Sequence, residues 1–470
     1  MQKNKFIQIF FDLPAHEKVA FKKWVHSPFY NPQAELRRLF DYIYEVDFVK
    51  SRDALAREAL FTSVFPERPY QLSKLRYWMT DLMRLLEQFL VYQYRKQSEF
   101  DFQLDLAAAY AEMNIEDLSK QALGKIELWL EKTNLRNIDY WEAKYNYERQ
   151  YYQLSILHQR SEAPKLQQLN DDFDIAYLSG KLKHACRILS YEGMYKKQYN
   201  TGLLHQVLHY ITENPKILEL PAVGMYYYYY QAVVSSGEES TGYFQAFKSY
   251  LFQYESMFPL AELRDLYKLA LNYSIKGLNK ANQEYYVKET FDLYSRALAQ
   301  NILIENGQIS PFAFSNIVAV ALGLGLDEWT DSFIEKYSVF LEKDLYNAQY
   351  NYNRAKLCFY RKDFKAASYL LSADDFDDLH LNLSAKVLLL KTYYHLDEFQ
   401  LLDALVHRFK IFLNRQKTLG YHKQNYHNIL RYMRRLVALN PYSKKEKEKL
   451  YKEIEGTELL TEKSWFLAQL

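Results

Sequence analysis

The strongest indication of the fold comes from one stretch of the sequence, Asn353-Arg-Ala-Lys-Leu-Cys-Phe-Tyr-Arg-Lys-Asp-Phe-Lys-Ala-Ala-Ser-Tyr-Leu-Leu371. Its first half has a small residue, Ala355, followed by bulky ones, and a polar turn ends at Asp363-Phe364. Its second half has another small residue, Ala367, followed one turn later by a leucine. Small residues let two helices cross closely, while aromatic side chains fill the wedge between them. The stretch therefore predicts two antiparallel helices joined by a short turn.

The acidic and aromatic residues at that turn recur along the chain. Glu328-Trp329, Asp363-Phe364 and Glu398-Phe399 follow one another at intervals of 35 residues. An acidic side chain stabilises a helix N-terminus, because the unpaired backbone N–H groups there carry partial positive charge. We therefore expect each acid-aromatic pair to lie where a turn ends and the second helix of a helix pair begins.

These residues resemble the tetratricopeptide repeat, whose period is about 34 residues. The resemblance is best over residues 311–414 and weaker over 262–301, and residues 102–256 keep only the rhythm of helix pairs. Lys362 and Asp397 stand where the family has a glycine before the turn. The resemblance implies a right-handed superhelix of antiparallel helix pairs, with a continuous concave face built from the first helix of each pair.

The remainder of the chain also indicates helices joined by short polar loops. Only 13 glycines and 11 prolines occur in 470 residues, so tight turns are few. The predicted fold is all-α, with an N-terminal helical module at residues 1–97, a degenerate tetratricopeptide-like solenoid at 101–443 and C-terminal capping helices at 444–470. Beyond the first module we predict helices at 102–113, 115–132, 138–158, 171–191, 202–213, 222–236, 240–256, 262–279, 282–301, 311–323, 327–343, 347–360, 363–372, 378–395, 398–414, 421–438 and 444–455.

A long helix is predicted within the N-terminal module, at residues 71–96. Its apolar residues alternate in steps of three and four over nearly three heptads, which is typical of a helix that packs along one seam. The favoured interpretation is the central helix of a bundle, and a homodimer through the same helix is the alternative. The seam residues are Leu72, Leu75, Met79, Leu82, Leu86 and Phe89.

Composition bounds the class of protein and its location. Apolar residues make up 49% of the chain and charged residues 25%, as in folded globular proteins. No run of about 18 apolar residues occurs, so no membrane span is predicted. The N-terminus lacks the pattern of a signal peptide, and the cysteines Cys186 and Cys358 lie far apart among helix-forming residues. We therefore expect a cytoplasmic protein without structural disulfides.

The concave face implied by the resemblance predicts a non-enzymatic scaffold that binds a peptide or protein segment. Stacked helix pairs present a continuous groove to such a ligand. Polar and aromatic residues on predicted first helices are the candidates for its lining, namely Asn316, Asn351, Tyr352 and Asn353.

A basic stretch near the C-terminus offers a second binding hypothesis. Residues 404–452 contain 13 lysines and arginines against two acids, with tyrosines interleaved. Cations of this kind contact phosphates, and rings stack on bases, in proteins that bind nucleic acids. Arg431, Arg434 and Arg435 are the candidate contacts. The same surface suits an acidic protein or the acidic middle of a second copy of the chain, or it serves only as a solvated C-terminal cap.

Motifs that would indicate an enzyme are missing from the sequence. Gly323-Leu-Gly325 lacks the third glycine and the lysine of a phosphate-binding loop, and no His-Glu-x-x-His motif or nucleophile elbow occurs. We predict no metal, cofactor or catalytic residue. An all-α toroid that acts on glycans is kept as a further alternative, because such enzymes are rich in aromatic residues and use two carboxylates.

Overall fold

The structure is a computed structural model that describes residues 4–46, 55–158, 165–195, 197–278, 283–372, 376, 378–416 and 422–470. This described part of the chain is helical apart from one short hairpin, which confirms the predicted all-α class. The chain divides into two compact units, Met1–Lys181 and Leu182–Leu470, called here the N-terminal and the C-terminal unit. The domain boundaries predicted near residues 97–101 and 443 remain predictions.

The N-terminal unit contains eight complete helices within its described residues, and a ninth helix contains the boundary between the units. They are α1 Lys5–Asp12, α2 Ala15–His26, α3 Ala34–Glu45, α4 Arg57–Val64, α5 Leu72–Gln97, α6 Glu99–Glu112, α7 Glu116–Lys132, α8 Ile138–His158 and α9 Leu166–Tyr195. The first two helices after α5 form an antiparallel pair, since α6 packs along α7.

The long helix α5 is the centre of the first five helices. It contacts α1, α2, α3 and α4, and one apolar core joins all five. The seam residues from Leu75 to Phe89 lie in this core, and Leu82 and Leu86 have no exposed area. The seam from Leu75 to Phe89 therefore packs inside the bundle, as the favoured interpretation of the sequence expected. A homodimer through this helix remains a prediction.

The C-terminal unit contains the remaining described helices. They are α10 Leu204–Glu213, α11 Pro221–Val234, α12 Gly237–Tyr254, α13 Leu260–Gly277, α14 Gln283–Ala299, α15 Pro311–Gly323, α16 Asp327–Tyr337, α17 Tyr346–Tyr360, α18 Phe364–Ser372, α19 Leu379–His395, α20 Phe399–Arg415, α21 His422–Val437, α22 Lys444–Glu455 and α23 Lys463–Leu467. The helices α19 to α23 share one apolar core. None of the helices in the described residues is both long and apolar enough to cross a membrane.

Consecutive helices of the C-terminal unit pack as pairs, namely α11 with α12, α13 with α14, α15 with α16, α17 with α18 and α19 with α20. The helix pair predicted from residues 353–371 is confirmed as α17 and α18. Its small residues Ala355 and Ala367 are fully buried, as close crossing requires. The first helices α15, α17, α19 and α21 also contact one another in succession.

The turns inside three of these pairs contain a residue with left-handed backbone. The φ angles are 74° at Gly325, 61° at Lys362 and 58° at Asp397. A residue in this conformation commonly ends a helix, and glycine adopts it with the least strain. Lys362 and Asp397 therefore adopt the same left-handed turn conformation as Gly325.

Each of the three acid-aromatic pairs lies at the start of the second helix of its pair, as predicted. The helices α18 and α20 begin immediately after Asp363 and Glu398, and Asp363 Oδ1 accepts a hydrogen bond of 3.1 Å from the backbone N–H of Ala366. The helix α16 begins one residue earlier, at Asp327, so Glu328-Trp329 lies in its first turn. The starts of α16, α18 and α20, at residues 327, 364 and 399, are therefore 37 and 35 residues apart.

One two-stranded hairpin was not predicted from the sequence. The strands β1, Ile304–Glu305, and β2, Gln308–Ile309, pair antiparallel across Asn306 and Gly307. Both turn residues have positive φ, 52° and 77°, which is the geometry of a type I′ turn. Strands of two residues are too short to show an alternating pattern, although the Asn-Gly dipeptide is a hairpin signal.

Close helix approach depends on glycine at one crossing in particular. Gly277 ends α13, and a Cβ atom built there would lie 2.3 Å from Cδ1 of Tyr286 on α14. Tyr286 is 6% exposed, so its ring has little room to move. Gly242 on α12 is exposed, and a Cβ there would meet no atom within 4 Å.

These two glycines predict opposite effects of the same substitution. Gly277→Ala should lower the free energy of unfolding by about 1–3 kcal/mol, because the α13–α14 crossing must open. Gly242→Ala should be neutral or stabilise by up to about 1 kcal/mol, since alanine favours the helix. Urea unfolding followed by circular dichroism measures both. Equal stability of the two variants would contradict the close crossing.

Candidate functional site

A cleft of about 510 Å³ opens within the C-terminal unit. The helices α15, α17, α19 and α21 line it, together with the segment 461–469 around α23. This volume lies within the range of sites that hold ligands in proteins. Six aromatic side chains contribute to its walls, namely Tyr352, Phe359, Tyr360, Phe364, Tyr426 and Trp465.

Helical periodicity explains how the cleft is assembled. On α17, Tyr352, Lys356, Phe359 and Tyr360 are spaced by four, three and one residues, so they form a single stripe. A similar stripe on α19 runs from Ser384 through Lys391 to His395. Because α17 contacts α19, the two stripes face a common space.

Lys356 is the most unusual residue of the cleft. Its Nζ atom lies 3.4 Å from the backbone oxygen of Ser315 and 4.8 Å from the centre of the Tyr352 ring. Among the described residues, no carboxylate oxygen lies within 4.0 Å of this amino group. Part of the side chain is exposed, whereas the amino group itself is buried.

Several groups act on the charge of Lys356. Burial of the amino group lowers its pKa to about 8, Glu462 opposes this shift, and the positive charge of Lys391 adds to it. The hydrogen-bond acceptor of Lys356 is a neutral carbonyl group, which stabilises the ammonium form less than a carboxylate does. At about pH 8, just above neutral pH, the Lys356 amino group is therefore divided between its ammonium form and its neutral form.

The second lysine of the cleft already has a partner. Lys391 Nζ lies 2.8 Å from Glu462 Oε2, and it also lies 5.1 Å and 5.5 Å from the ring centres of Phe359 and Trp465. This ion pair joins α19 to the C-terminal segment. The indole N–H of Trp465 is buried and has no acceptor among the described residues.

His395 forms one end of the cleft. Its ring stacks on Phe364, with centres 4.5 Å apart and planes 7° from parallel. Burial lowers the pKa of His395, and the charges of Lys391 and Lys362 lower it further, although Asp397 opposes them. The imidazole is therefore neutral at pH 7 and belongs to the aromatic wall.

The structure separates the four residues predicted to line a groove. Tyr352 lies on the wall of the cleft, where burial raises its pKa and a hydrogen bond with Ser384 opposes that shift. Asn353 on the same helix is fully buried, and its amide nitrogen donates to Ser315 Oγ at 3.1 Å. Asn351 is partly exposed on α17.

Asn316 belongs to a different depression. It is exposed on α15 and lines a second cleft of about 390 Å³ that also includes Arg264 and Tyr294. Burial raises the pKa of Tyr294, and a hydrogen bond with Asn316 opposes that shift. Arg264 donates to the backbone oxygens of Ile302 and Ile304, so its role here is to hold the hairpin of β1 and β2.

The three arginines predicted to bind a partner lie on α21 and have intramolecular partners. Arg431 donates to the hydroxyl of Tyr432 at 2.7 Å, Arg434 Nε lies 3.8 Å from Asp403 Oδ1, and Arg435 forms an ion pair with Glu453. The hydrogen bond with Glu453 raises the pKa of Arg435.

Other cations of the basic stretch concentrate around one histidine. Burial lowers the pKa of His427, and the charges of Lys423 and Lys410 lower it further. Positive charge therefore accumulates where α20 meets α21. Residues 417–421 of the stretch, including Lys417 and Tyr421, lie outside the described residues, and a nucleic-acid ligand for this surface remains a prediction.

The sequence did not single out Lys356, Lys391, Glu462 or Trp465. Lys356 sits between Ala355 and Leu357 on the stretch that defined the helix pair, so its place on the inner stripe of α17 was open to prediction. The partners from segment 461–469 were not, because they lie about 100 residues away in the chain and no repeat signal links them to α17.

Comparisons of this chain with known proteins found no match. A scan against models of protein families matches no family. Neither the curated proteins nor the solved structures include a match to the chain. The proposed functions therefore rest on the arrangement of the described side chains. Among these residues, no group of three or more His, Cys, Asp or Glu side chains could hold a metal ion.

The position of Lys356 predicts a pH-dependent effect on stability. Its pKa in the folded chain, about 8, lies below the value of about 10.4 expected when unfolded. The folded state therefore bears the cost of the charged form below pH 8, and that cost disappears as the pH rises from about 8 to about 10.4. Lys356→Met should raise the free energy of unfolding at pH 7 by up to about 3 kcal/mol and by much less at pH 10.

Urea unfolding at both pH values tests this expectation. Lys365→Met is the matched control, because Lys365 is exposed on the neighbouring helix α18. It should change stability little at either pH. An effect of Lys356→Met that is the same at pH 7 and pH 10 would contradict a charged amine held in the cleft.

Proposed function

We propose that the protein is a non-enzymatic scaffold, built as a tetratricopeptide-like array, that binds a short acidic peptide segment in the cleft around Lys356. The observation that carries this proposal is a cleft lined by six aromatic side chains together with an amino group that forms no ion pair with a carboxylate. The succession of contacts between α15, α17 and α19 supports a concave face built from first helices.

The charges of the cleft favour an anionic ligand. Lys356, Lys362 and Lys391 line it, whereas Glu462 is the one acid among its described lining residues. Glu462 is bonded to Lys391 and acts on Lys356 only through its charge, so a carboxylate from a ligand could form the ion pair that Lys356 lacks. An ion pair between an acidic side chain and a lysine contributes more binding free energy in a site partly shielded from water than at an open surface.

The aromatic walls favour an apolar or aromatic side chain next to that acid. Tyr360 is 45% exposed and Phe364 is partly exposed, so both rings are available for contact. Aromatic side chains in a concave site provide large contact areas at a small cost in conformational entropy. A cleft of about 510 Å³ holds only a few side chains of a bound segment. The ligand class is therefore a short linear peptide with an acid beside a bulky apolar residue.

The same geometry disfavours the glycan-active alternative. Hydrolysis of a glycosidic bond uses two carboxyl groups on opposite sides of the bond. The described lining of this cleft offers Glu462 alone, and that carboxylate is bonded to Lys391. His395 stacks on Phe364 as a neutral ring. Binding is the activity that these side chains support best.

Selection from a random peptide library tests the proposal. Peptides enriched on the full chain should carry an acid next to an aromatic or aliphatic residue. Lys356→Met should weaken their binding at least tenfold, because a hydrogen bond to a charged partner contributes about 1.5–3 kcal/mol. Calorimetric titration at pH 7 measures the affinities.

The control for that test is Lys365→Met, which removes an exposed lysine one helix away. This variant should bind the selected peptides as the unmodified chain does. Two results would count against the proposal: enrichment of peptides without acids, or equal affinity of the Lys356 and Lys365 variants.

A further inference from the structure

The cleft also has the features of a covalent binding site. An amine becomes an effective nucleophile when an apolar pocket removes water from it or when another cation lies nearby. Lys356 meets both conditions, because aromatic side chains line its cleft and Lys391 influences its charge. A neutral backbone oxygen, that of Ser315, is its hydrogen-bond acceptor, so no ion pair blocks the nitrogen.

We propose that Lys356 is a nucleophile that binds an aromatic aldehyde in this cleft as a reversible imine. The aldehyde carbon would lie at Nζ, and its ring would lie among Tyr352, Phe359 and Trp465, which line the same space. This inference goes beyond peptide binding and does not depend on it, since it concerns the reactivity of one amino group.

The reaction balances without any group that the cleft lacks. The lone pair of the neutral amine attacks the carbonyl carbon and forms a C–N bond, and one proton moves from the nitrogen to the carbonyl oxygen through solvent. In the resulting carbinolamine the hydroxyl group takes a proton from solvent, the C–O bond breaks and water leaves as the nitrogen lone pair forms the C=N bond. The nitrogen then returns its remaining proton to solvent. The product is an imine, and addition of water reverses each step. No electron transfer is involved, and the protein returns unchanged.

The groups that face Lys356 set the pH at which this occurs. On α17 the neighbour is Tyr352, on α19 they are Lys391 and His395, on α21 it is Tyr426, and the C-terminal segment contributes Glu462. Glu462 is the one of these that favours the ammonium form, and burial together with Lys391 outweighs it. At about pH 8 half of the Lys356 amine is neutral, whereas an ordinary exposed lysine is less than about 1% neutral.

Reductive trapping of the imine tests the proposal. The full chain is treated at about pH 8 with a limiting amount of 4-carboxybenzaldehyde and cyanoborohydride, and the labelled lysines are located by peptide mass spectrometry. Lys356 should be labelled at least about tenfold faster than the exposed Lys365. The labelling rate of Lys356 should rise with a midpoint near pH 8.

Two variants make the result decisive. Lys356→Arg keeps a positive charge and should lose the fast-reacting site while the slower sites react as before. Lys365→Arg should leave the fast site intact. The proposal is overturned if Lys356 reacts no faster than Lys365, or if its rate rises only above about pH 10, where ordinary lysines lose their protons. Peptide selection is a separate measurement, so failure of labelling leaves the scaffold proposal to its own test.

Discussion

The structure depends on the close approach of paired helices at small residues. Where α17 crosses α18, Ala355 and Ala367 have no exposed area, and at the end of α13 a single glycine leaves room for the Tyr286 ring. Backbones that approach this closely leave bulky side chains to fill the spaces beside the crossing. The aromatic walls of the cleft, Phe359 and Phe364 among them, are a consequence of that arrangement.

The cleft follows from the same constraint one level higher. Because α15, α17 and α19 contact in succession, the residues on their common side face one space rather than separate surfaces. Within that space the C-terminal segment adds Glu462 and Trp465, and the ion pair of Glu462 with Lys391 holds this wall in place. Lys356 is then enclosed without a carboxylate of its own, which is a costly arrangement unless it serves a ligand.

The local part of the fold was open to prediction from the sequence, and the reasons are visible in particular residues. Apolar spacing predicted α5 and its seam, and the small residues Ala355 and Ala367 predicted the helix pair α17–α18.

Prediction failed where the signal was short or ambiguous. The hairpin at Asn306-Gly307 has strands of two residues, which are too short to show an alternating pattern. Of the candidate lining residues, Tyr352 reached the cleft, Asn353 is buried and Asn316 lies in another depression. Period alone cannot distinguish these positions, because the direction of a side chain depends on which neighbouring helix covers it.

Both proposals depend on the amino group of Lys356, which is buried in an aromatic cleft without a neutralising carboxylate. An NMR titration of the full chain, with lysine labelled at Cε and the Lys356 signal assigned by Lys356→Arg, measures this directly. The expected titration midpoint of that signal lies near pH 8. A midpoint at about 10.4, the value of a lysine in water, would show that the amine is solvated or paired and would contradict its burial in the cleft.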